Sequence, residues 1–234
     1  MKKLLKFVLS IFCIVALVCV GFVGYRGFKE YEQRIQMAPI EQMIAQIEAD
    51  PYFTPYEDIP HELIRATVSI EDHRFFDHRG VDYIGLTRAI VSQIFPGYLR
   101  SGGSTITQQL AKNMYEMWEP TLDRKASEFF FAKALERKYS KQDIITYYLN
   151  VINYGDGYIG IRQASRGYFY CEPEDLSIPQ ATLLAGIPQS PMNYQLSDHF
   201  DQAKEKQRVV LEKMVECDYL HEEDVDVIWN QPVY

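Results

Sequence analysis

The chain has 234 residues, which is enough for one domain with its own core plus an anchor, but not for two full catalytic domains. Its 24 Lys and Arg against 32 Asp and Glu give a formal net charge of −8, which argues against nucleic acid as the main partner. Aromatic residues reach 14%, which suits a protein that contacts membrane or sugar but also an ordinary core.

The N-terminal segment predicts a membrane anchor. Lys2, Lys3 and Lys6 precede residues 7–25, an apolar run without charge that is long enough to cross a bilayer as a helix. The basic residues favour residues 1–6 in the cytoplasm and the rest of the chain outside. A cleaved signal peptide is the alternative, but residues 20–24 offer no clear small-x-small cleavage site, so we expect an uncleaved anchor.

After the anchor, the sequence predicts a polar, partly helical stalk over 26–60, punctuated by four prolines, and one domain over 61–234. Residues 63–70 form either a buried helix or a short apolar segment. Further helices are predicted over 82–94, 105–118, 123–139, 141–150, 163–170, 178–185 and 202–216. Alternating strand patterns are nearly absent, so the predicted fold class is mostly α.

Local signals mark the strongest of these helices. Thr121 or Asp123 can cap the helix that follows, which runs to residue 139 without Gly or Pro. Ser140 and Asp143 are spaced as a capping box for the next helix. Residues 155–160 contain three glycines and predict a tight turn.

A first polar segment, residues 71–80, follows the apolar Val68-Ser69-Ile70 directly. Charges next to a core segment should lie at the edge of a cleft. Glu71 there could have a raised pKa through desolvation and act as a base near neutral pH. The alternative from this segment alone is a solvated loop.

A second segment, residues 102–113, runs from glycines into a helix start rich in hydroxyl and amide groups, with Lys112 further along. Free N–H groups at a helix N-terminus suit a phosphate. The spacing is not that of a Walker loop, and a plain helix cap with a polar face is the alternative.

A third segment places Arg124 and Glu128 four residues apart on one helix face, with Lys125 beside Arg124. This pattern fits either an ordinary surface ion pair or a polar group in a cleft. Segments 153–169 and 176–194 are best interpreted as tight turns against packed helices, and we expect few catalytic groups in them.

Together the five segments, in order over residues 61–195, resemble the family 51 glycosyltransferases, the peptidoglycan polymerases. The residues that carry the resemblance are Glu71-Asp72, Phe75, His78 and Gly80, then residues 103–109 with Lys112-Asn113, then Arg124-Lys125, Glu128 and 135–150, then the two later segments. With no room for a transpeptidase domain after residue 234, the monofunctional members are the expected match. Gln180 departs from the family pattern, which usually has an acidic residue there.

The resemblance implies an α-helical, lysozyme-like fold and lipid II as substrate, with the growing lipid-linked glycan as donor. It implies Glu71 as the base, Lys112 and Arg124 as cations on the leaving pyrophosphate, and Glu128 as a carboxylate that orients Arg124 or the pyrophosphate. Polar support is implied for Ser104, Gln109 and Asn113.

The expected setting is the bacterial cytoplasmic membrane, with the catalytic domain on its outer side. The expected partners are lipid II, the growing glycan and the membrane, with other cell-wall synthesis proteins left open and nucleic acid excluded. No cofactor and no metal ligands are indicated, although Mg²⁺ or Mn²⁺ bridging the pyrophosphate is chemically plausible. Cys171 and Cys217 are expected to remain free.

The apolar stretch 83–99 matches the family's region that dips into the membrane, with Phe95, Tyr98 and Leu99 as the best candidates for contact. A plain core helix is the alternative for Ile84, Leu86 and Ile90.

Two other functions stay open at this point. A lysozyme-like glycoside hydrolase would also use a cleft Glu, but it has no pyrophosphate for Lys112 and Arg124 to hold. A non-catalytic scaffold that binds lipid II is the other alternative, which the presence of Glu71, Glu128, Lys112 and Arg124 together makes weaker.

Overall fold

The computed structural model describes residues 2–94 and 103–234. Within these ranges the chain is mostly α-helical and contains no β-strand, which confirms the predicted fold class. The α-helices are α1 Lys2–Met37, α2 Ile40–Glu48, α3 His61–Glu71, α4 Tyr83–Ile94, α5 Ile106–Met114, α6 Leu122–Lys138, α7 Lys141–Val151, α8 Ile161–Phe169, α9 Ile178–Gly186, α10 Pro191–Tyr194, α11 Phe200–Glu216 and α12 Glu222–Trp229.

Helix α1 is the N-terminal apolar helix, and it is long and apolar enough to cross a membrane. It continues past residue 25, where the predicted anchor ends, to Met37. Its C-terminal part packs along α6, with the rings of Tyr31 and Phe131 4.8 Å apart between centroids. Residues 26–37 of the expected stalk are therefore one continuous helix with the anchor.

The rest of the expected stalk contributes to the core. Ile40 and Ile44, four residues apart on α2, are both buried, and so is Ile59. The hydroxyl of Tyr147 on α7 donates to Glu48 at 2.7 Å. The prolines do break the chain into short pieces, but the apolar side chains between them pack on the helical body. The boundary at residue 61 thus divides segments that share a core.

The core is centred on α3, which packs against α9 and α11, and on α5, which packs against α6 and α7. Leu63, Ile64 and Val68 are buried, so the predicted apolar segment is a helix that lies within the core. Burying such side chains supplies the main driving force for this packing.

Helix boundaries follow the local signals closely in α6 and α7. The side chain of Thr121 accepts from the Arg124 N–H at 3.2 Å, and Ser140 and Asp143 form the predicted capping box. Helix α5 ends at Met114, four residues before the predicted end, because the chain turns at Glu116 with a φ of 49°. Helix α12 was not predicted.

Helix α4 exposes apolar side chains. Ile84 is 63% exposed and Leu86 42%, so the alternative of a plain core helix is wrong for both. The side chain of Ile90 and the proposed membrane contacts Phe95, Tyr98 and Leu99 lie outside the described residues.

Candidate active site

Glu71 is the last residue of α3, and its carboxylate lies against α5. The side-chain Nε2 of Gln109 donates to Glu71 Oε2 at 2.7 Å, while the hydroxyl of Tyr148 donates to Gln109 Oε1 at 3.3 Å. Glu71 Oε1 is buried and has no hydrogen-bond partner among the described residues. Burial raises the pKa of Glu71, opposed by the Gln109 hydrogen bond and the charge of Lys206. The raised pKa makes this carboxylate a better proton acceptor than an exposed glutamate.

The neighbouring Asp72 fixes the segment that carries Glu71. Its Oδ2 accepts from the Ile106 N–H at 3.1 Å and contacts His78 Nε2 at 2.9 Å. The hydroxyl of Thr105 donates to the Gly80 carbonyl at 2.7 Å. Segments 71–80 and 103–109 are thereby bonded to each other. Residues 72–80 do form a loop, but the alternative of a solvated segment is wrong for Glu71 Oε1 and for Asp72, which are buried.

These contacts also occupy the N-terminus of α5. The Ile106 N–H is bonded to Asp72, and the Gln108 N–H is bonded to Thr105 within a capping box. The expectation that free N–H groups there would hold a phosphate is therefore not supported. The side chains of this helix are therefore the better candidates for a phosphate contact.

A cluster of charges lies on the first two turns of α6. The Arg124 guanidinium pairs with Glu128 Oε1, and Lys125 Nζ donates to Glu128 Oε2 and to Ser104 Oγ, both at 2.6 Å. Glu128 is only 1% exposed. A buried carboxylate between two cations is not an ordinary surface pair, because losing either cation would leave a poorly compensated charge.

Lys112 of α5 joins this cluster from the other side. Its Nζ lies 4.9 Å from the centroid of the Trp118 ring. Burial lowers the pKa of Lys112, and the positive charges of Arg124 and Lys125 lower it further. Three cations thus face one another around Glu128, an arrangement that favours binding of an anion with more than one charge.

Helix α5 connects the two halves of the site. Gln109 contacts Glu71, and Lys112, one turn further on, faces Arg124 and Lys125. The base candidate at the end of α3 and the cations of α6 therefore both face residues of one helix, α5, rather than lying on separate loops. This arrangement brings Glu71, Gln109, Lys112, Arg124, Glu128 and Ser104 together.

Asn113 is the predicted site residue that the structure places elsewhere. Its Nδ2 donates to the Gln109 carbonyl at 2.8 Å, within its own helix. Its side chain lines a groove of about 260 Å³ between α2, α5 and α7, together with Met43, Phe53 and Asn150. Of the three residues expected to support the cations, Ser104 contacts one of them, whereas Gln109 supports Glu71.

The helices that carry the site match a known family. A sequence model of the family described as Transglycosylase matches residues 39–215, from the residue before α2 to the last turn of α11. The chain belongs to the transglycosylase family.

Curated relatives share this region. Penicillin-binding protein 1A of Streptococcus oralis is 41% identical over 179 residues, covering 75% of this chain and 28% of that protein. Penicillin-binding protein 2D of Bacillus subtilis is 37% identical over 182 residues, covering 78% of this chain and 26% of that protein. The chain thus spans about a quarter of the length of these relatives.

A solved structure, penicillin-binding protein 1A from Haemophilus influenzae, superposes on this chain with a TM-score of 0.47 and 18% sequence identity. The match covers 78% of this chain and 18% of the solved chain.

Two cations in this transglycosylase were missed by the sequence reasoning as site residues. Lys125 contacts both Ser104 and Glu128, and its spacing three residues before Glu128 could have indicated it. Lys206 of α11 is 9% exposed and donates to Gln189 Oε1. Its charge acts on Glu71, and no local pattern in the sequence connects residues 71 and 206.

Gly186 makes room for Lys206. A Cβ at this position would lie 2.8 Å from Lys206 Cγ, so a larger residue would push the lysine away. The fifth segment, interpreted as structural, therefore helps to place a charge near Glu71.

The departure at Gln180 has a structural explanation. Its side-chain carbonyl accepts from the Ser177 N–H at 2.9 Å at the start of α9, a capping contact that a carboxylate could also make. Its Nε2 donates to the Val233 carbonyl at 2.9 Å, which only an amide can do. The residue lies in a helix cap and not in the charge cluster.

Within the described ranges, no three His, Cys, Asp or Glu side chains come close enough to hold a metal ion. Cys171 and Cys217 are both free thiols.

Proposed function

We propose that the chain is a peptidoglycan glycosyltransferase that polymerises lipid II into β-1,4 glycan strands and releases undecaprenyl pyrophosphate. One observation carries the proposal. Glu71, with its raised pKa, and the cations around Glu128 are joined through Gln109 and Lys112, one turn apart on α5. A base and a pyrophosphate site that face neighbouring turns of the same helix suit a transfer between two lipid-linked sugars.

In this mechanism Glu71 removes the proton from the 4-hydroxyl of the acceptor sugar. That oxygen attacks the anomeric carbon of the donor from the face opposite to the pyrophosphate, so the α-linkage becomes β. The buried Oε1, which has no partner among the described residues, is the atom we assign to the acceptor hydroxyl. Gln109 on Oε2 keeps the carboxylate from rotating away.

The cations act on the leaving group. As the anomeric bond breaks, negative charge builds up on the pyrophosphate, and preorganised cations stabilise it most in that state. Lys112, Arg124 and Lys125 supply the charge, while Glu128 holds Arg124 and Lys125 in place. A divalent ion such as Mg²⁺, if bound with the substrate, would neutralise part of the same negative charge, and this stays a prediction.

The membrane setting follows from the anchor. We propose that α1 crosses the bacterial cytoplasmic membrane once, with residues 1–6 inside and the helical domain outside. Both substrates carry lipid tails, so the enzyme and its substrates would meet within a plane. The exposed Ile84 and Leu86 of α4 suit contact with lipid on the same side.

The test is to incubate the full chain, in detergent micelles, with lipid II labelled on its peptide, and to separate the products by size. Glycan polymer with release of lipid pyrophosphate supports the proposal. Shortening of an added glycan without polymer would mean a hydrolase, and binding of lipid II without turnover would mean a scaffold. Either of these two outcomes would refute the proposal.

A further inference from the structure

The anchor helix makes an unusually close crossing with the helix that carries the cations. A Cβ at Gly27 of α1 would lie 2.9 Å from both the Ala126 carbonyl carbon and the Ser127 nitrogen of α6, and closer still to Ala126 Cβ. Only a glycine lets the two backbones approach this far. Ala126 directly follows Lys125, so the crossing point is at the charge cluster.

Polar contacts hold the first turn of α6, and the segment just before it, to the same helix. Arg26 pairs with Asp123 at 2.7 Å. Arg34 donates to the Tyr115 carbonyl at 3.0 Å and lies 3.8 Å from the Glu119 carboxylate. The carbonyl of Glu119 in turn accepts from Arg124 Nε at 2.7 Å. Glu119 thus contacts both Arg34 of the anchor helix and Arg124, a cation of the site.

Aromatic packing continues the contact further along α1. The rings of Phe28 and Phe130 are 5.2 Å apart between centroids, and those of Tyr31 and Phe131 are 4.8 Å apart. These edge-on pairs fix the rotation of α1 about its own axis as well as its distance from α6. The crossing is therefore a rigid joint rather than a hinge.

The joint also sets the height of the first turn of α6 above the membrane. The apolar run of α1 ends at residue 25, so Gly27 lies only about 3 Å further along the helix axis, at 1.5 Å per residue. Trp118 and Leu122, next to the joint, are 58% and 71% exposed, which suits side chains at a membrane interface. The first turn of α6 would then stand at the level of lipid phosphates.

We propose that Gly27 and Arg34 are positioning residues, through which the membrane helix holds Arg124 and Lys125 at the depth and orientation required to bind a lipid pyrophosphate. This inference rests on the proposed function and adds that α1 is part of the active-site framework as well as a tether. Glu71 stands on α3, away from this joint, so its proton transfer should not depend on it.

The test compares Gly27→Ala with Gly24→Ala in the full chain. Gly24 lies one turn earlier on α1, and a Cβ there would meet nothing within 4 Å, so the same change at this position is a matched control. Binding of farnesyl pyrophosphate in detergent should weaken about tenfold or more for Gly27→Ala and stay unchanged for Gly24→Ala. The KM for lipid II should rise accordingly, while the acidic limb of the pH–rate profile, which reports Glu71, should not move.

Equal binding of farnesyl pyrophosphate by the two glycine variants would overturn the inference. If Gly27→Ala lowers the melting temperature, the binding of farnesyl pyrophosphate by Arg34→Gln becomes the deciding measurement. Lys29→Gln is its control, because Lys29 pairs with Glu32 of its own helix. Weaker binding in Arg34→Gln alone supports the inference, and equal binding in both refutes it. A parent chain that binds the probe but makes no polymer would instead count against the proposed function.

Discussion

Gln109 donates its side-chain Nε2 to Glu71 Oε2 at 2.7 Å, and this bond joins the end of α3 to the middle of α5. It gives the buried carboxylate one fixed partner and leaves Oε1 without one among the described residues. The bond also stabilises the ionised form of Glu71, against the burial that favours the protonated form. Gln109 thus affects both the orientation and the pKa of the proposed base.

Replacing Gln109 should shift the pH dependence of the reaction. In Gln109→Leu, the contact that lowers the pKa of Glu71 is lost, so the pKa rises further. A base works only when it is deprotonated, and the acidic limb of the profile of kcat/KM against pH should therefore move to higher pH. Gln142→Leu, an exposed position on α7, is the control. An unchanged acidic limb would show that Gln109 does not act on the base.

Lys206 should act on the pKa of Glu71 in the same direction as Gln109. Its positive charge lowers the pKa of Glu71, so Lys206→Met should raise that pKa and also move the acidic limb to higher pH. Lys213→Met, on the same helix but paired with Glu216, should leave the limb in place. A profile for Lys206→Met that coincides with the Lys213→Met profile would contradict the assignment.

Lys125 should matter for the leaving group and not for the base. Lys125→Met removes the contacts with Ser104 and Glu128 and one charge facing the pyrophosphate, and we expect kcat/KM for lipid II to fall by about 10²-fold. The exposed Arg137→Met on the same helix is the control. The pH profile should keep its shape, and a loss below about threefold would remove Lys125 from the site.

Gly80 should be important for stability. It has a φ of +83°, and a Cβ there would lie 2.7 Å from the Ala132 carbonyl oxygen of α6. Gly80→Ala should lower the free energy of unfolding by roughly 2–4 kcal/mol, combining backbone strain with the clash. Gly157 has a φ of +79° but open space around it, so Gly157→Ala should cost only about 1 kcal/mol of strain. Denaturant unfolding measures both, and equal losses would show that the clash is relieved elsewhere.

Local signals in the sequence predicted the helices that begin and end with recognisable caps. The Thr121 cap and the Ser140–Asp143 capping box lie where they were predicted, because these contacts involve residues three apart. The continuation of α1 and the burial of Ile40 were not predicted. Both depend on packing against helices about a hundred residues later, and prolines nearby favoured a linker instead.

In the candidate site, too, contacts between residues close in sequence could be predicted, whereas contacts between separate helices could not. The pairing of Arg124 with Glu128 could be predicted because four residues make one helical turn. The link from Glu71 to Gln109 and the charge of Lys206 join separate helices, and only the resemblance to a family suggested that Gln109 belongs to the site at all. The placement of Asn113 outside the cluster likewise required the fold.

The most direct test of the central claim is the rate at which Glu71→Gln polymerises lipid II. The amide keeps the shape of the side chain and cannot act as a base, so the rate should fall by roughly 10²–10⁴-fold while the melting temperature stays close to that of the parent. Glu62→Gln, in the first turn of the same helix, should polymerise at the parent rate. Polymerisation by Glu71→Gln at the parent rate would contradict the account.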